Sequence, residues 1–408
     1  MEAADYIIGL ANDMGFKAEK CAHDQVVVIE MGDGPETLGI LAHIDVVPTG
    51  PIEDWETDPF EPVIKDDKMF GRGTLDDKGM VIASLFAMKA AKDMGLPLKK
   101  KVQLILGTQE EVEWVDMDEY VANYPLPDYG FTPDGEFPLQ NIEKGIIDLV
   151  LEFPIDKAKD SEKPYIVSMK AGSASNAVPA RAEALLSDGT TVSAVGRTVH
   201  SSDPLRGENA IYNLRETLKV KDIQENAFTK VLDLLYDTFG DCIGKALPIY
   251  KEDEYYMGEF VHRNTFSTDI ISSNEDTIKI IVNCRFSYGT EADEIINCVS
   301  KLAKDNGGEA YTAMNQKAVF IPKDKPFLGV FANAYEDVSG LKNEFILAYG
   351  GSYAKAMPNI VSWGPIFPGE VDTCHEPNEF IAISDLMTCT KIFAESVATI
   401  AFSESSFK

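Results

Sequence analysis

The stretch KVQLILGTQEEVEW, Lys101–Trp114, runs from an apolar segment straight into two adjacent glutamates. Like charges on neighbouring residues repel, and carboxylates at the mouth of a buried strand lose hydration. Glu110 and Glu111 are therefore an unfavourable pair unless a cation sits against them, which makes a metal the first suspect. Outward from this stretch, VVVIEM from Val26 and TLGILAHIDVV from Thr37 also read as strands. KGMVIASLFAMKAAKDMG reads as a helix ending at Gly95, directly before the Lys101 strand. The alternation predicts an α/β fold with a central, mostly parallel sheet flanked by helices.

At 408 residues the chain exceeds the size at which single cores stop growing, so two domains are expected. A strand is read at GIIDLVLEFP, followed by IDKAKDSEKP, a charged and poorly patterned stretch that reads as a domain crossing. The middle section changes texture. Strands are read at YIVSMKA, TVSAVGRTV and TIKIIVNCRFSYG, with helices near Glu208–Leu218, Ala227–Phe239 and Glu291–Lys304, as in an α+β layer. After AVFIPKDKP the α/β texture resumes, with a helix from Phe327, a strand NIVSWG and a closing helix from about Phe380 to Ala401. The expected organisation is a catalytic domain split into residues 1–150 and 326–408, with an inserted lid domain at 151–325.

Composition narrows the function classes. The 45% hydrophobic and 25% charged fractions are those of a globular protein, and no apolar run approaches the ~20 residues of a membrane helix. A formal charge of −30 argues against nucleic acid and against a membrane surface, both of which need basic patches. The start, MEAADYIIGLANDMGF, is acidic and helically spaced rather than leader-like, so a cytoplasmic location is expected. Six cysteines form no CxxC pair, which suggests isolated thiols, with Cys374 beside His375 the one to follow.

The remaining site candidates fall at strand ends. His43 closes one strand and Asp45, two residues on, is spaced to support the second imidazole nitrogen. Asp76 and Asp77 occupy a glycine-flanked turn before a helix, and Asp134 follows another strand. In open α/β sheets the carboxyl ends of strands form the ligand crevice, so His43, Asp76, Glu110, Glu111 and Asp134 can converge although scattered in sequence. Each has a plainer reading: TLDD as a helix cap, paired glutamates as a solvated face, His375 as a surface loop residue. Their joint occurrence in a chain with five histidines favours a metal site.

The ordered set GILAHIDVVPTG, MFGRGTLDDKGM, LGTQEEVEW, FTPDGEFP, GRTVHSSDP, NCRFSYGT, YGGSYAKAMPN and CHEPNEF resembles the co-catalytic metallopeptidases that include carnosinase, aminoacylase and succinyl-diaminopimelate desuccinylase. Within that family the likeness is strongest to the bacterial dipeptidases of the PepV type. The resemblance implies His43, Asp76 and Asp134 on one metal, and Asp76, Glu111 and His375 on the other, with Asp76 bridging and the Asp76–Asp77 peptide cis. Glu110 is then the general base and Asp45 the group that orients His43. His200 and Arg285 reach the substrate from the inserted domain, with Asn176 nearby, and Gly351, Ser352 and Lys355 complete substrate recognition. Two divalent ions are implied, zinc first, with manganese or cobalt as alternatives.

Such ions can hold a water between them, lower its pKa and polarise the scissile carbonyl. The expected activity is hydrolysis of short unblocked peptides by a monomer or homodimer. An N-acyl amino acid deacylase of the same family is the alternative, and a catalytically silent metal-binding protein is disfavoured by Glu110. The sequence departs from the family pattern at Ser352 and Lys355, where threonine and arginine are usual. It also departs in a shorter stretch between RAEALL and TVSAVG and in lacking most of a helical segment before ADYIIGLAND.

Overall fold

Strand Lys101–Gly107 is buried along nearly its whole length, as an apolar run paired on both edges requires. In this computed structural model, which describes residues 2–156 and 162–408, it pairs antiparallel with Val26–Met31 and parallel with Thr37–His43. The sheet continues from Thr37–His43 to Tyr129–Thr132 and then Ile360–Ser362, both pairings parallel. Lys17–Cys21 adds an antiparallel edge beyond Val26–Met31. Helices Lys78–Asp93 and Ile383–Ala401 pack on each other and against the two central strands. Met117, Tyr120, Tyr353 and Met357 form a further buried cluster with Val28, Leu41 and Ile105.

The register sets up the site. His43 is paired with Gly107, and Ile40 with Phe131, so three strands end at the same edge of the sheet. The segments leaving those ends carry Asp45, Glu110 with Glu111, and Asp134. Gly107 also allows a close approach, because a Cβ there would lie 2.1 Å from the Tyr353 hydroxyl. Fold class and carboxyl-edge placement thus follow from strand polarity.

The chain divides into two compact units, residues 1–142 with 320–348 and 352–408, and residues 143–319 with 349–351. The second unit is built on a seven-stranded sheet, with strands paired in the order Thr191–Val195, Arg181–Leu186, Ile166–Ala171, Thr265–Ser273, Thr277–Phe286, Gly145–Pro154 and Glu309–Gln316. Every adjacent pair is antiparallel. Its outer strands alternate, as Arg181–Leu186 does, and turn Ala182, Ala184 and Leu186 into a core. Helices Ala210–Lys219, Ala227–Phe239 and Ala292–Asp305 contribute Leu214, Leu232, Leu235 and Val299 to that core.

Two sequence readings are corrected here. GIIDLVLEFP, read as closing the first domain, pairs with Thr277–Phe286 and Glu309–Gln316 in the second unit's sheet. Ile147, Leu149, Leu151 and Phe153 face the second unit's core, so apolar content alone did not say which sheet the strand joins. The closing helix starts at Ile383 because Phe380–Ala382 forms a short strand against Lys68–Phe70. Half of the charged crossing read at IDKAKDSEKP, residues 157–161, lies outside the described residues. No helix among the described residues is long and apolar enough to cross a membrane.

A glycine in the central sheet tests this packing. A Cβ on Gly130 would lie 1.9 Å from the Gly39 carbonyl oxygen, a backbone atom that cannot swing aside. Gly130→Ala is expected to destabilise the protein by about 1–3 kcal/mol, the scale of overpacking a core. Denaturant unfolding checks this, and a midpoint unchanged from the parent counts against the close approach.

Candidate metal centre

Asp76 sits at the middle of a cluster of histidines and carboxylates in the first unit. Its Oδ1 lies 2.8 Å from His43 Nε2, and its Oδ2 lies 3.0 Å from His375 Nε2. His375 Nε2 is also 3.2 Å from Glu111 Oε2, and His43 Nε2 is 4.0 Å from Asp134 Oδ2. The side chains of His43, Asp76, Glu111, Asp134 and His375 therefore come together. The two faces of one carboxylate look at two separate imidazoles.

Donors sharing one tetrahedral ion at ~2.1 Å stand roughly 3.4 Å apart. The separations here, 2.8 to 4.0 Å, suit that arrangement. The donor chemistry also fits, since mixed imidazole and carboxylate sets take zinc and its neighbours. His43, Glu110 and Asp134 offer ligand atoms within 4.8 Å of one another, and so do His43, Asp76 and Glu111. Glu111 Oε1 is buried without a hydrogen-bond partner, an acceptor a cation would satisfy.

Three supports hold these groups in place. His43 Nδ1 donates to the Asp45 carbonyl at 3.1 Å, which turns Nε2 toward Asp76 and Asp134. The Asp45 carboxylate adds a contact to Nδ1 at 3.4 Å and accepts from the Glu110 and Glu111 amides at 3.3 and 3.1 Å. Asp45 lies past the end of the strand, which stops at His43 rather than running through TLGILAHIDVV, and from there it serves both the histidine and the glutamate segment.

The second support is Asp116, fully buried. Its Oδ2 accepts from the Thr108 and Gln109 amides at 2.7 and 3.1 Å and from the Tyr353 hydroxyl at 2.8 Å. The third is Glu379, also fully buried, whose carboxylate takes Arg72 Nη1 at 2.6 Å and the amides of Gly73, Leu75 and Asp76 at 2.9 to 3.1 Å. The Asp76–Asp77 peptide within that turn is cis. Asp77 stands at the helix N-cap position, yet its carboxylate makes no capping bond and Oδ2 accepts from the His43 amide at 3.2 Å. The cap reading of TLDD is thus replaced by a tie between the turn and the His43 strand.

Asp116 and Glu379 were not singled out in the sequence. Asp116 reads there as one acidic residue of a helix start. Glu379 had one available signal, its place in the CHEPNEF motif.

The electrostatics are those of an overcrowded acidic site. Burial opposes a charged His43, but hydrogen bonds to Asp45 and Asp76 together outweigh it and hold the ring well above its usual range. Hydrogen bonds to Asp76 and Glu111 push His375 up to about 11. Burial, with the Asp76 charge behind it, raises Asp134 to about 7. Glu110 is raised well above a normal glutamate by burial and by the charge of Asp134. Burial and Asp76 push the Cys374 thiol far up, so it is a poor nucleophile.

The other sequence candidates lie elsewhere. His200, Asn176 and Arg285 belong to the second unit, as does Gly351. His200 is exposed, and its Nδ1 accepts from the Ser202 amide at 3.2 Å, so the ring proton sits on Nε2. Asn176 is exposed and its carbonyl accepts from the Ser201 amide at 2.9 Å. Ser352 caps and Lys355 closes a single 3-10 turn in the first unit, and they are 3% and 2% exposed.

A model of the peptidase family M20/M25/M40 matches residues 39–399. A Bacillus subtilis (strain 168) protein named "Putative dipeptidase YtjP" is 32% identical over 403 residues, covering 91% of this chain and 85% of its own length. A similarly named Staphylococcus saprophyticus protein is 31% identical over 441 residues, covering 99% and 91%. Among solved structures, aminoacylhistidine dipeptidase from Vibrio alginolyticus matches with a TM-score of 0.65 at 16% identity, over 97% of this chain and 92% of that one. The dipeptidase Dug1p of Saccharomyces cerevisiae matches with a TM-score of 0.63 at 15% identity, over 99% and 91%. At these identities the two structures speak to fold alone.

Two tests address the cluster itself. A histidine that ligates must be neutral, while His43 and His375 hold protons to high pH, so cation uptake should expel protons and apparent affinity should rise with pH. Calorimetric titration of metal-depleted protein with zinc at pH 7, in buffers of different ionisation enthalpy, should show at least about one proton released per chain. No release would contradict the pairing. Glu379→Ala should cost about 3–5 kcal/mol in unfolding free energy, because it strands the buried Arg72 charge and three amides. A loss below about 1 kcal/mol, within the range of an exposed pair, would show that the turn does not depend on it.

Proposed function

The chain belongs to peptidase family M20/M25/M40, and on that premise we propose that it is a dinuclear metal-dependent dipeptidase of the cytoplasm acting on short, unblocked peptides. The observation that carries this reading is the two-faced carboxylate of Asp76, with one oxygen toward His43 and the other toward His375. In this assignment His43 and Asp134 complete one metal position, and Glu111 and His375 complete the other, with Asp76 shared. Zinc is the first choice, and manganese or cobalt suit the same donors. When bound, two such ions lower the pKa of a water and polarise the scissile carbonyl.

The chain's own groups do the rest. Glu110 takes the proton of the attacking water and returns it to the leaving amine. Its raised pKa suits a group that must hold a proton between those steps. Asp45 keeps the imidazole of His43 in the tautomer that ligates. His200, with its proton on Nε2, donates to the oxyanion of the tetrahedral intermediate. Arg285 pairs with the free carboxylate that marks a dipeptide, and Asn176, Gly351, Ser352 and Lys355 are assigned to substrate recognition. The second unit is assigned the role of a lid that delivers His200 and Arg285.

Because Glu110 is within ligating reach of His43 and Asp134 as well, the roles of the two glutamates need a direct test. Glu110→Gln should keep both metals and lower kcat by about 10²–10⁴. Glu111→Gln should lose or weaken one metal, with activity partly restored by added zinc. Metal analysis with steady-state kinetics decides it. Loss of metal from the Glu110 variant, with both ions retained in the Glu111 variant, reverses the assignment. The parent enzyme should cleave a dipeptide panel in preference to N-acetyl and N-succinyl amino acids, and the opposite preference would make it a deacylase.

A further inference from the structure

Arg285 is 4% exposed, yet among the described residues its guanidinium makes no direct ion pair. Asp148 and Asp269 act on it only through space. Its Nε donates to Asn283 Oδ1 at 2.9 Å and its Nη1 to the Tyr349 carbonyl at 3.3 Å, which leaves Nη2 without a protein partner among the described residues. A buried arginine held by neutral acceptors keeps its charge available for an incoming anion.

Asn283 is itself locked. Its Nδ2 donates to Asp148 Oδ1 at 2.6 Å, and a carboxylate there can only accept, so the amide cannot turn over without setting acceptor against acceptor. Its Oδ1 must then face Arg285, and the same oxygen accepts from Ser201 Oγ at 3.1 Å. Ser201 follows His200 directly, and its amide donates to the Asn176 carbonyl. The pairing register supports this arrangement, since Asn283 stands opposite Asp148 on one neighbouring strand and opposite Ser267 on the other. One side-chain amide thus ties the arginine to the segment that carries the histidine.

We propose that Asn283 is a positioning residue for substrate carboxylate recognition: its Oδ1 fixes the plane of the Arg285 guanidinium and, through Ser201, the backbone beside His200. Because a guanidinium is rigid and planar, anchoring Nε determines where both Nη groups point. Without that anchor the charge remains but its direction does not, and bidentate pairing is the interaction that suffers. This rests on the assignment of Arg285 to the substrate carboxylate made above.

The experiment compares kcat/KM for a dipeptide with that for its C-terminal amide, in the zinc-loaded full chain and in Arg285→Ala, Asn283→Ala and Asn283→Ser. The ratio between the two substrates does not depend on how much of a sample is folded. The parent should favour the free acid, and Arg285→Ala should remove that preference. Asn283→Ala and Asn283→Ser should each cut it about 10-fold to 100-fold, because only the acid needs the directed guanidinium, whereas any loss through the backbone beside His200 falls on both substrates alike. If Arg285→Ala leaves the ratio unchanged, the carboxylate reading fails. If Arg285→Ala removes the preference and both Asn283 variants retain it, or if neither Asn283 variant folds, the positioning role is overturned.

Discussion

One carboxylate shared between two imidazoles organises the first unit's site. Asp76 can turn an oxygen toward each of His43 and His375 only if its backbone is held from outside the cluster, and Glu379 does that with three amide acceptances and a buried arginine. The turn is therefore specified by a residue some three hundred positions later in the chain. Asp45 and Asp116 do the same for the glutamates, so the turn at Asp76 and the segment that carries Glu110 and Glu111 both rest on carboxylates that are not themselves proposed ligands. Such groups are expensive to bury and hold one geometry once their donors are in place.

The crowding of charge follows from the same architecture. Parallel strands deliver their following segments to one edge, and here several of those segments carry acids. Burial and the neighbouring acids together raise Asp134 and Glu110, while hydrogen bonds to carboxylates hold the two histidines well above their usual range. A divalent ion and a proton are then alternative answers to one electrostatic problem.

Much of this was legible from residue order. The apolar runs at Val26, Thr37 and Lys101 and the Ala-rich helix at Lys78 announced an α/β sheet, and His43, Glu110, Glu111 and Asp134 could be placed at strand ends. Strand Gly145–Pro154 was legible as a strand but not as a member of the other sheet, because a continuous apolar run carries no record of its partner. Glu379 and Asp116 were hidden for a different reason. Their roles are defined by the backbone amides they accept, and amides are the same in every residue. Asn283 was quoted only as the start of NCRFSYGT, and its importance appears only when Asp148, Ser201 and Arg285 are seen around one amide.

The short excursion Tyr349–Gly351 ties into the second unit although both flanking segments belong to the first. Its ring lies against His262 at 5.3 Å and under the Lys144 ammonium, while its carbonyl receives Arg285. The second unit is therefore not a cassette that can be lifted out as residues 143–319. A gene fragment with those ends would encode the whole seven-stranded sheet and yet omit one of the two acceptors for a buried guanidinium. Recombination or shuffling at the two obvious junctions would carry away the arginine and leave behind part of what holds it.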